Sequence, residues 1–361
     1  MEKKVLHFSA PYNNDIASLK DLFKLKNNNH NCISEIYLSG PQDYSGSGRI
    51  TQKISPLDFF NTIDSIHGQN IKANLVVNST CGGREWYSRA NINALLHLIQ
   101  TSQEKHNLKA VTVANPIIMA EIHHNFPEIE ISASVLGDID SVEKAQVFRE
   151  AGASIITPDV NINRNLTLLE EIKTSTGAEL KLMLNEGCLY RCPYRKFHFN
   201  YISHQSKELG PIEGDTLFAN CTKLTLKNLG LIFKSCWIRP EDMRNYERIT
   251  NFFKIVGRTR PNSFVVRTTR AYMKEKWDGD LLDILSSSLN KLSIEYGASI
   301  NNKELSQYDF FNKVTQAENP EDLSDFFHQL GKNLVHFRVL TRGKLEDLNM
   351  AEKAKELKIK Y

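Results

Sequence analysis

The chain has 361 residues, of which 41% are apolar and 24% charged, and a net charge of +3. That length buries a large core, as one big domain or one domain with a small appendage, and so small a net charge makes no general case for a nucleic-acid partner. No run approaches the roughly 20 apolar residues that span a bilayer, and the start, MEKKVLHFSAPYNN, lacks the apolar stretch and cleavage site of a signal peptide.

In chain order, short β-rich runs alternate with amphipathic stretches. Val5–Phe8 and Ser34–Leu38 read as strands, each followed by a helical pattern, Asp15–Lys26 and Pro56–Ile66. Ile71–Val77 precedes a long helical stretch, Glu85–Ser102. Ala110–Ala114 and Glu128–Ala133 are the next strands, and Ser141–Gly152, reading SVEKAQVFREAG, is a helix with a glycine stop. Ser154–Thr157, Glu179–Leu184 and Phe252–Val256 complete eight strands, with helices at Leu166–Thr176 and Asn262–Lys276. Eight such alternations predict a closed parallel TIM-like (β/α)8 barrel. An open doubly wound sheet is the competitor, but the turn after the first strand, SAPYNND, lacks the glycine-rich phosphate loop of that fold. The expected domains are a barrel over 1–277, carrying an unusually long excursion over 187–248, and a C-terminal helical appendage over 278–361. The appendage helices are expected at Leu281–Tyr296, Leu305–Thr315, Leu323–Leu330 and Met350–Lys358.

Four of the six cysteines, Cys188, Cys192, Cys221 and Cys236, fall in that excursion. The cytoplasm is the expected compartment, where clustered thiols read as metal ligands or catalytic groups before disulfides. Strand ends at one mouth of a barrel carry its active site, and all four thiols can reach that face after the seventh strand. An iron–sulfur cluster and zinc both suit such ligands; scattered buried thiols are the plain alternative. The radical S-adenosylmethionine signature would need a third cysteine at position 195, which is Arg195. Cys81, in VVNSTCGG after the third strand, faces the same mouth as a spare ligand or a loop thiol, whereas Cys32 precedes the second strand at the other end.

Arg191, Arg195, Lys196, His198 and His204 lie between aromatics just beyond the first cysteine pair, where cations offset thiolate charge or grip a carboxylate. Glu186, at the end of the seventh strand, is a candidate proton handler or substrate anchor. The SGSGR stretch at 45–49 is a weak phosphate-loop signal. Residues 221–276 hold 13 Lys or Arg against 4 Asp or Glu, an excess of nine positive charges, which reads either as a solvated surface or as a rim attracting an anion or RNA. HExxH and GxSxG are both absent, and no Cys–His pair has a recognisable local signature, so nothing in the residues asks for hydrolysis.

Three segments carry a family resemblance. FSAPYNN resembles the Ala-Pro turn that opens the collagenase-like peptidase family. SVEKAQVFREAGASIITPDVNINRNLTLLEEIKTSTGAELKLML resembles its later helix–strand–helix units. FFKIVGRTRPNSFVVRTTRAYMKE is similar to its strand-eight signature, with Lys254, Gly257 and Arg258 in place. The resemblance spans roughly residues 4–276. It implies a TIM-like barrel and either peptidase activity or that of the family's oxygen-independent hydroxylase branches. Those branches hold a 4Fe–4S cluster on four cysteines, act on a ubiquinone ring or on tRNA or rRNA bases, and have prephenate implicated as oxygen donor. By resemblance, Cys188, Cys192, Cys221 and Cys236 take the ligand role; from the residues themselves, Arg191, Arg195 and Arg258 are expected to hold carboxylates and Glu186 or His198 to move protons. The cysteine spacing differs from those branches, and Asn185-Glu186 stands where many members have His-Gly. The expectation is therefore a divergent iron–sulfur-dependent enzyme acting on a small molecule or peptide, with a partner subunit possible in principle. Its alternatives are a peptidase and an RNA-base hydroxylase.

Overall fold

Eight parallel strands close on themselves in the computed structural model, which describes residues 3–28, 31–41, 46–206, 216–317, 320–341 and 344–348. They are β1 (Leu6–Pro11), β2 (Asn31–Ser39), β3 (Lys72–Val77), β4 (Ala110–Val113), β5 (Glu130–Ala133), β6 (Ile155–Ile156), β7 (Glu179–Met183) and β8 (Phe252–Lys254). Each pairs with its sequence neighbour, and β1 pairs with both β2 and β8, which closes the barrel. A two-residue strand, Asn27–Asn28, lies antiparallel on β2. All eight expected strands are present at their expected places, because each is a short run with apolar residues bounded by turn residues.

Helices wrap the outside: α1 (Ile16–Leu25), α2 (Pro56–His67), α3 (Arg89–His106), α4 (Pro116–Asn125), α5 (Val142–Glu150) and α6 (Leu166–Thr176). Their starts are fixed by side-chain caps. Asp15, Ser55, Ser88, Asn115, Ser141 and Asn165 each accept a hydrogen bond from a first-turn amide. Helix α4 is an addition to the sequence reading. Its buried residues are Ile118, Met119 and Ile122, while Ile117 is 58% exposed, which blurs the apolar stripe; the Asn115-Pro116 cap and N1 pair was its available signal.

The excursion over 187–248 contributes α7 (Arg195–Gln205), α8 (Thr216–Lys227), α9 (Gly230–Lys234) and a 3-10 turn at Pro240–Tyr246. After β8 comes α10 (Asn262–Met273), then α11 (Ser287–Tyr296), α12 (Asn302–Leu305), α13 (Phe310–Gln316) and α14 (Ser324–Leu334). The C-terminal part is not purely helical. It includes an antiparallel sheet of β9 (Ala298–Ile300), β10 (Val335–Thr341) and β11 (Lys344–Leu348). The helix expected at Met350–Lys358 lies outside the described residues. Apolar side chains from both sides of position 277, including Phe233, Trp237, Tyr272, Leu289, Phe310 and Phe327, share one continuous core.

Strand alternation sends Leu6, Phe8, Ile36, Leu38, Leu180, Leu182 and Phe253 outward against the helices. The barrel interior is instead polar. Lys181 Nζ donates to both Glu35 carboxylate oxygens at 2.8 and 3.0 Å and to Ser132 Oγ at 3.2 Å. Asn74 Nδ2 donates to Glu35 Oε2 at 2.9 Å, Thr112 Oγ1 donates to Asn74 Oδ1 at 2.8 Å, and Ser9 Oγ also donates to Glu35. Lys181 and Glu35 are fully buried. Burial alone would raise the Glu35 carboxyl, but the cations Lys181 and Lys254 and the bonds from Lys181 and Ser9 hold it down at about 2.

Candidate active site

At the C-terminal ends of the strands a cavity of about 320 Å³ opens above this polar plug. Its floor is made by Tyr37 of β2, Val76 of β3, Met183 of β7 and Lys254 of β8. Its walls come from the segment around Arg49, the turn after β5, the stretch 186–202, α8 and the linker 286–288. The fold puts it where parallel barrels carry their active sites.

Three of the four clustered thiols line this cavity, namely Cys188, Cys192 and Cys221. Cys192 Sγ lies 4.0 Å from Cys221 Sγ. That neighbour's hydrogen bond, only partly opposed by burial, brings the Cys192 thiol down to about 6; amides of Tyr194 and Arg195 assist. Cys188, half-buried and beside Glu186, is pushed up instead, chiefly by desolvation. Cys236 is buried and is not part of the lining; its Sγ faces the carbonyls of Asn161 at 3.6 Å and Lys234 at 3.7 Å. Burial pushes its thiol up as well. Among the described residues no three His, Cys, Asp or Glu side chains are close enough to hold a single metal ion.

Cations surround them. Arg195 is 8% exposed and forms ion pairs with Asp138 at 3.7 Å and Asp159 at 3.8 Å. Its Nε and Nη1 are buried without a hydrogen-bond partner among the described residues. The guanidinium charge is met by these two carboxylates, while two of its donors lack a close acceptor. Arg258 donates through Nη1 to Ser39 Oγ at 2.6 Å and lies over the Tyr37 ring at 5.6 Å, with no ion pair among the described residues; burial lowers it to about 10. Arg49 Nη2 donates to Glu186 Oε2 at 3.2 Å, and its guanidinium stacks over Phe199 at 4.5 Å.

Glu186 is buried yet ionised. Burial alone would raise its carboxyl, but Arg49, the Ser287 hydroxyl and Arg195 together pull it below the ordinary range. It anchors Arg49 and, through Ser287 Oγ, the start of α11. His198 lines the cavity beside Phe199 and Phe218, with ring centroids at 6.0 and 6.2 Å. Arg191 is exposed and outside the lining, its guanidinium over Tyr190 at 5.2 Å and its amide bonded to Asn161 Oδ1 at 2.8 Å. Of the sequence-derived set, the cavity thus gathers Cys188, Cys192, Cys221, Glu186, Arg195, His198 and Arg258, and leaves Cys236 behind its wall and Arg191 on the surface.

Sequence reading passed over Lys254 as a signature residue without a role, took Arg49 only as the end of a weak phosphate-loop signal, and passed over Ser287 altogether. Only the closure of the barrel brings position 49 to position 186, and only the returning C-terminal chain brings position 287. A second feature was also invisible in linear spacing. Cys81 Sγ, in the loop after β3, lies 2.9 Å from His204 Nε2 on α7. The two elements are clamped by Thr80, whose N and Oγ1 meet Ser203 Oγ at 3.0 and 3.2 Å. This thiol–imidazole pair lies outside the cavity lining.

The barrel and the position of its cavity define the general class: a (β/α)8 protein built for chemistry at its C-terminal mouth. The family is equally plain, since residues 20–210 match the model of peptidase family U32. An uncharacterized protease, MJ1657, of Methanocaldococcus jannaschii is 31% identical over 286 residues, covering 77% of this chain and 85% of that one. The chain belongs to peptidase family U32, the collagenase-like family. The solved structure of the U32 peptidase Mk0906 is similar in fold, with a TM-score of 0.52 at 17% identity over 71% of this chain and 94% of that one. No helix among the described residues is long and apolar enough to cross a membrane.

Proposed function

We propose that the cavity is a thiolate-held cofactor site and that the chain is an enzyme acting on a small anionic molecule or peptide. Cys188, Cys192 and Cys221 would hold an iron–sulfur cluster from the cavity wall, with Cys236 as the fourth ligand after the wall shifts. The observation that carries this reading is the convergence of three thiols on one cavity next to the guanidinium of Arg195, two of whose donors lack a close acceptor among the described residues. A bound cluster would supply electron exchange or polarisation of an oxygenated donor. This chain's own residues do the rest. Arg195 offsets thiolate charge, and Arg258 receives a substrate carboxylate at the floor. Glu186 fixes Arg49 in the wall, and Phe199 with Val256 keeps water from the centre. Anaerobic reconstitution with iron and sulfide tests it. The expected result is bound iron and acid-labile sulfide in equal amounts, lost in Cys192→Ser and Cys221→Ser. A chain that stays colourless and iron-free after reconstitution sinks the reading.

Peptide hydrolysis is the second reading, and the protease names carried by both relatives favour it at the level of family. Its specific support is the Cys81–His204 pair, which has the separation of a thiol nucleophile and its base. On this reading Cys81→Ser abolishes cleavage of denatured collagen or a model peptide, while Cys192→Ser leaves it intact. Cleavage that survives Cys81→Ser, or none by wild type, removes it.

A further inference from the structure

Lys254 occupies the centre of the cavity floor, on the last residue of β8. Its side chain is buried, with 8% of the residue exposed, yet its amine makes no hydrogen bond or ion pair among the described residues. The one contact recorded for Nζ is the face of Tyr37, at 4.0 Å from the ring centroid. Glu35, the carboxylate that acts on it through charge, is already bonded by Lys181, Ser9 and Asn74. Burial and the neighbouring cations Lys181 and Arg258 together outweigh Glu35 and lower the amine to about 7, so much of it is neutral near neutral pH. A neutral, unpaired amine facing a substrate-sized space is a nucleophile. The groups around it narrow what it attacks. Arg258 stands on the same rim with one hydroxyl partner, open to a carboxylate. Val76 and Met183 make the floor beside it apolar, while the hydrogen-bonding groups of the lining, Asn78, Ser134 and Ser286 among them, stand on other strands and loops around it.

We propose that Lys254 is a catalytic amine that condenses with a carbonyl compound bearing a carboxylate, such as a 2-oxo acid, whose carboxylate rests on Arg258. The neutral amine attacks the carbonyl carbon and a C–N bond forms. The carbonyl oxygen takes up protons and leaves as water, giving a protonated imine; the overall change is one substrate and one proton in, one water out. No oxidant or reductant is needed. The iminium withdraws electrons from the adjacent carbon, which is where a bond would then be made or broken. The proposal goes beyond the cofactor reading and does not depend on it.

The test is reductive trapping on the full metal-free chain, so that its result is read separately from any iron content. Protein is incubated with pyruvate and cyanoborohydride near neutral pH, then measured by intact mass and peptide mapping. The expected result is a single carboxyethyl group on Lys254, absent in Lys254→Met. Labelling should slow roughly tenfold in Arg258→Met, or with acetone in place of pyruvate, as an ionic hydrogen bond is lost. Label spread over surface lysines, an unlabelled Lys254 peptide in wild type, or equal rates for acetone and pyruvate overturns the proposal. Because the site is mapped in wild type, a poorly folding variant does not leave the question open.

Discussion

Lys181 and Glu35 show how a single buried pair sets the character of this barrel. Both are fully buried, so removing one strands the other's charge. Lys181→Met should cost about 3–5 kcal/mol in urea unfolding, and the Lys181→Met, Glu35→Gln double variant should recover a large part of it. Glu35 also has a pH signature. Its folded pKa, about 2, is below the ordinary 4.5, so its contribution is fully present above that ordinary value and is lost as pH falls towards 2. Glu35→Gln should flatten the acid limb of a stability–pH curve; an unchanged limb refutes the assignment. Lys254 works with the opposite economy. Its folded amine lies near 7 against 10.5 when unfolded, so the unfolded chain holds the extra proton between those values and stability rises with pH across that window. Lys254→Met should therefore stabilise the fold by roughly 1 kcal/mol or more below pH 7, with the gain shrinking toward pH 10. A destabilised Lys254→Met at low pH would show that the amine has a partner.

At the scale of elements, the end of β7 ties the barrel to the chain beyond it. Asn185 Nδ2 donates to the carbonyls of Val256 at 3.1 Å and Ile284 at 3.0 Å, and its Oδ1 accepts from the Val256 amide at 2.7 Å. Asn185→Leu leaves those backbone groups unsatisfied and should cost about 2–4 kcal/mol by thermal or chemical denaturation. Next to it, a Cβ on Gly187 would meet the Ser286 carbonyl at 2.3 Å, so Gly187→Ala should push the 286–288 linker off the cavity wall and speed protease cleavage there. These elements also mark how far the sequence could be read. The eight strands were legible because each is a local apolar run with turn punctuation, and the cysteine cluster was legible as composition. The cavity's cationic wall was not. Arg49 and Glu186 are 137 positions apart and Ser287 is 101 beyond Glu186, and no local period encodes those meetings. Likewise β9 is a three-residue strand among helical patterns that pairs with β10 across 35 to 39 residues of chain.

For the whole molecule, the apolar core runs without a break from the barrel helices into the C-terminal part. Phe310 packs on Trp237 with ring centroids at 5.3 Å and on Phe233 at 6.3 Å, joining α13 to the excursion around α9. The linker at 286–288 completes the cavity. Heat or denaturant should therefore unfold the described chain in one cooperative transition, with circular dichroism and tryptophan fluorescence coincident. A chain cut after residue 277 should fail to accumulate as folded protein, because the partners of Phe233 and Trp237 are gone. Two separated transitions, or a stable folded 1–277 fragment, would contradict that single core.

The polar plug beneath the cavity has a last consequence, for orientation. Glu35's negative charge is sequestered below by Lys181, while Lys254 and Arg258 look upward. A visitor therefore meets a platform polarised in one sense before any chemistry starts. A molecule with an acidic head and a neutral tail settles head-down; its mirror arrangement meets uncompensated positive charge with nothing to offer it. The buried Lys181–Glu35 pair thus sets the charge of the floor on which Lys254 and Arg258 stand.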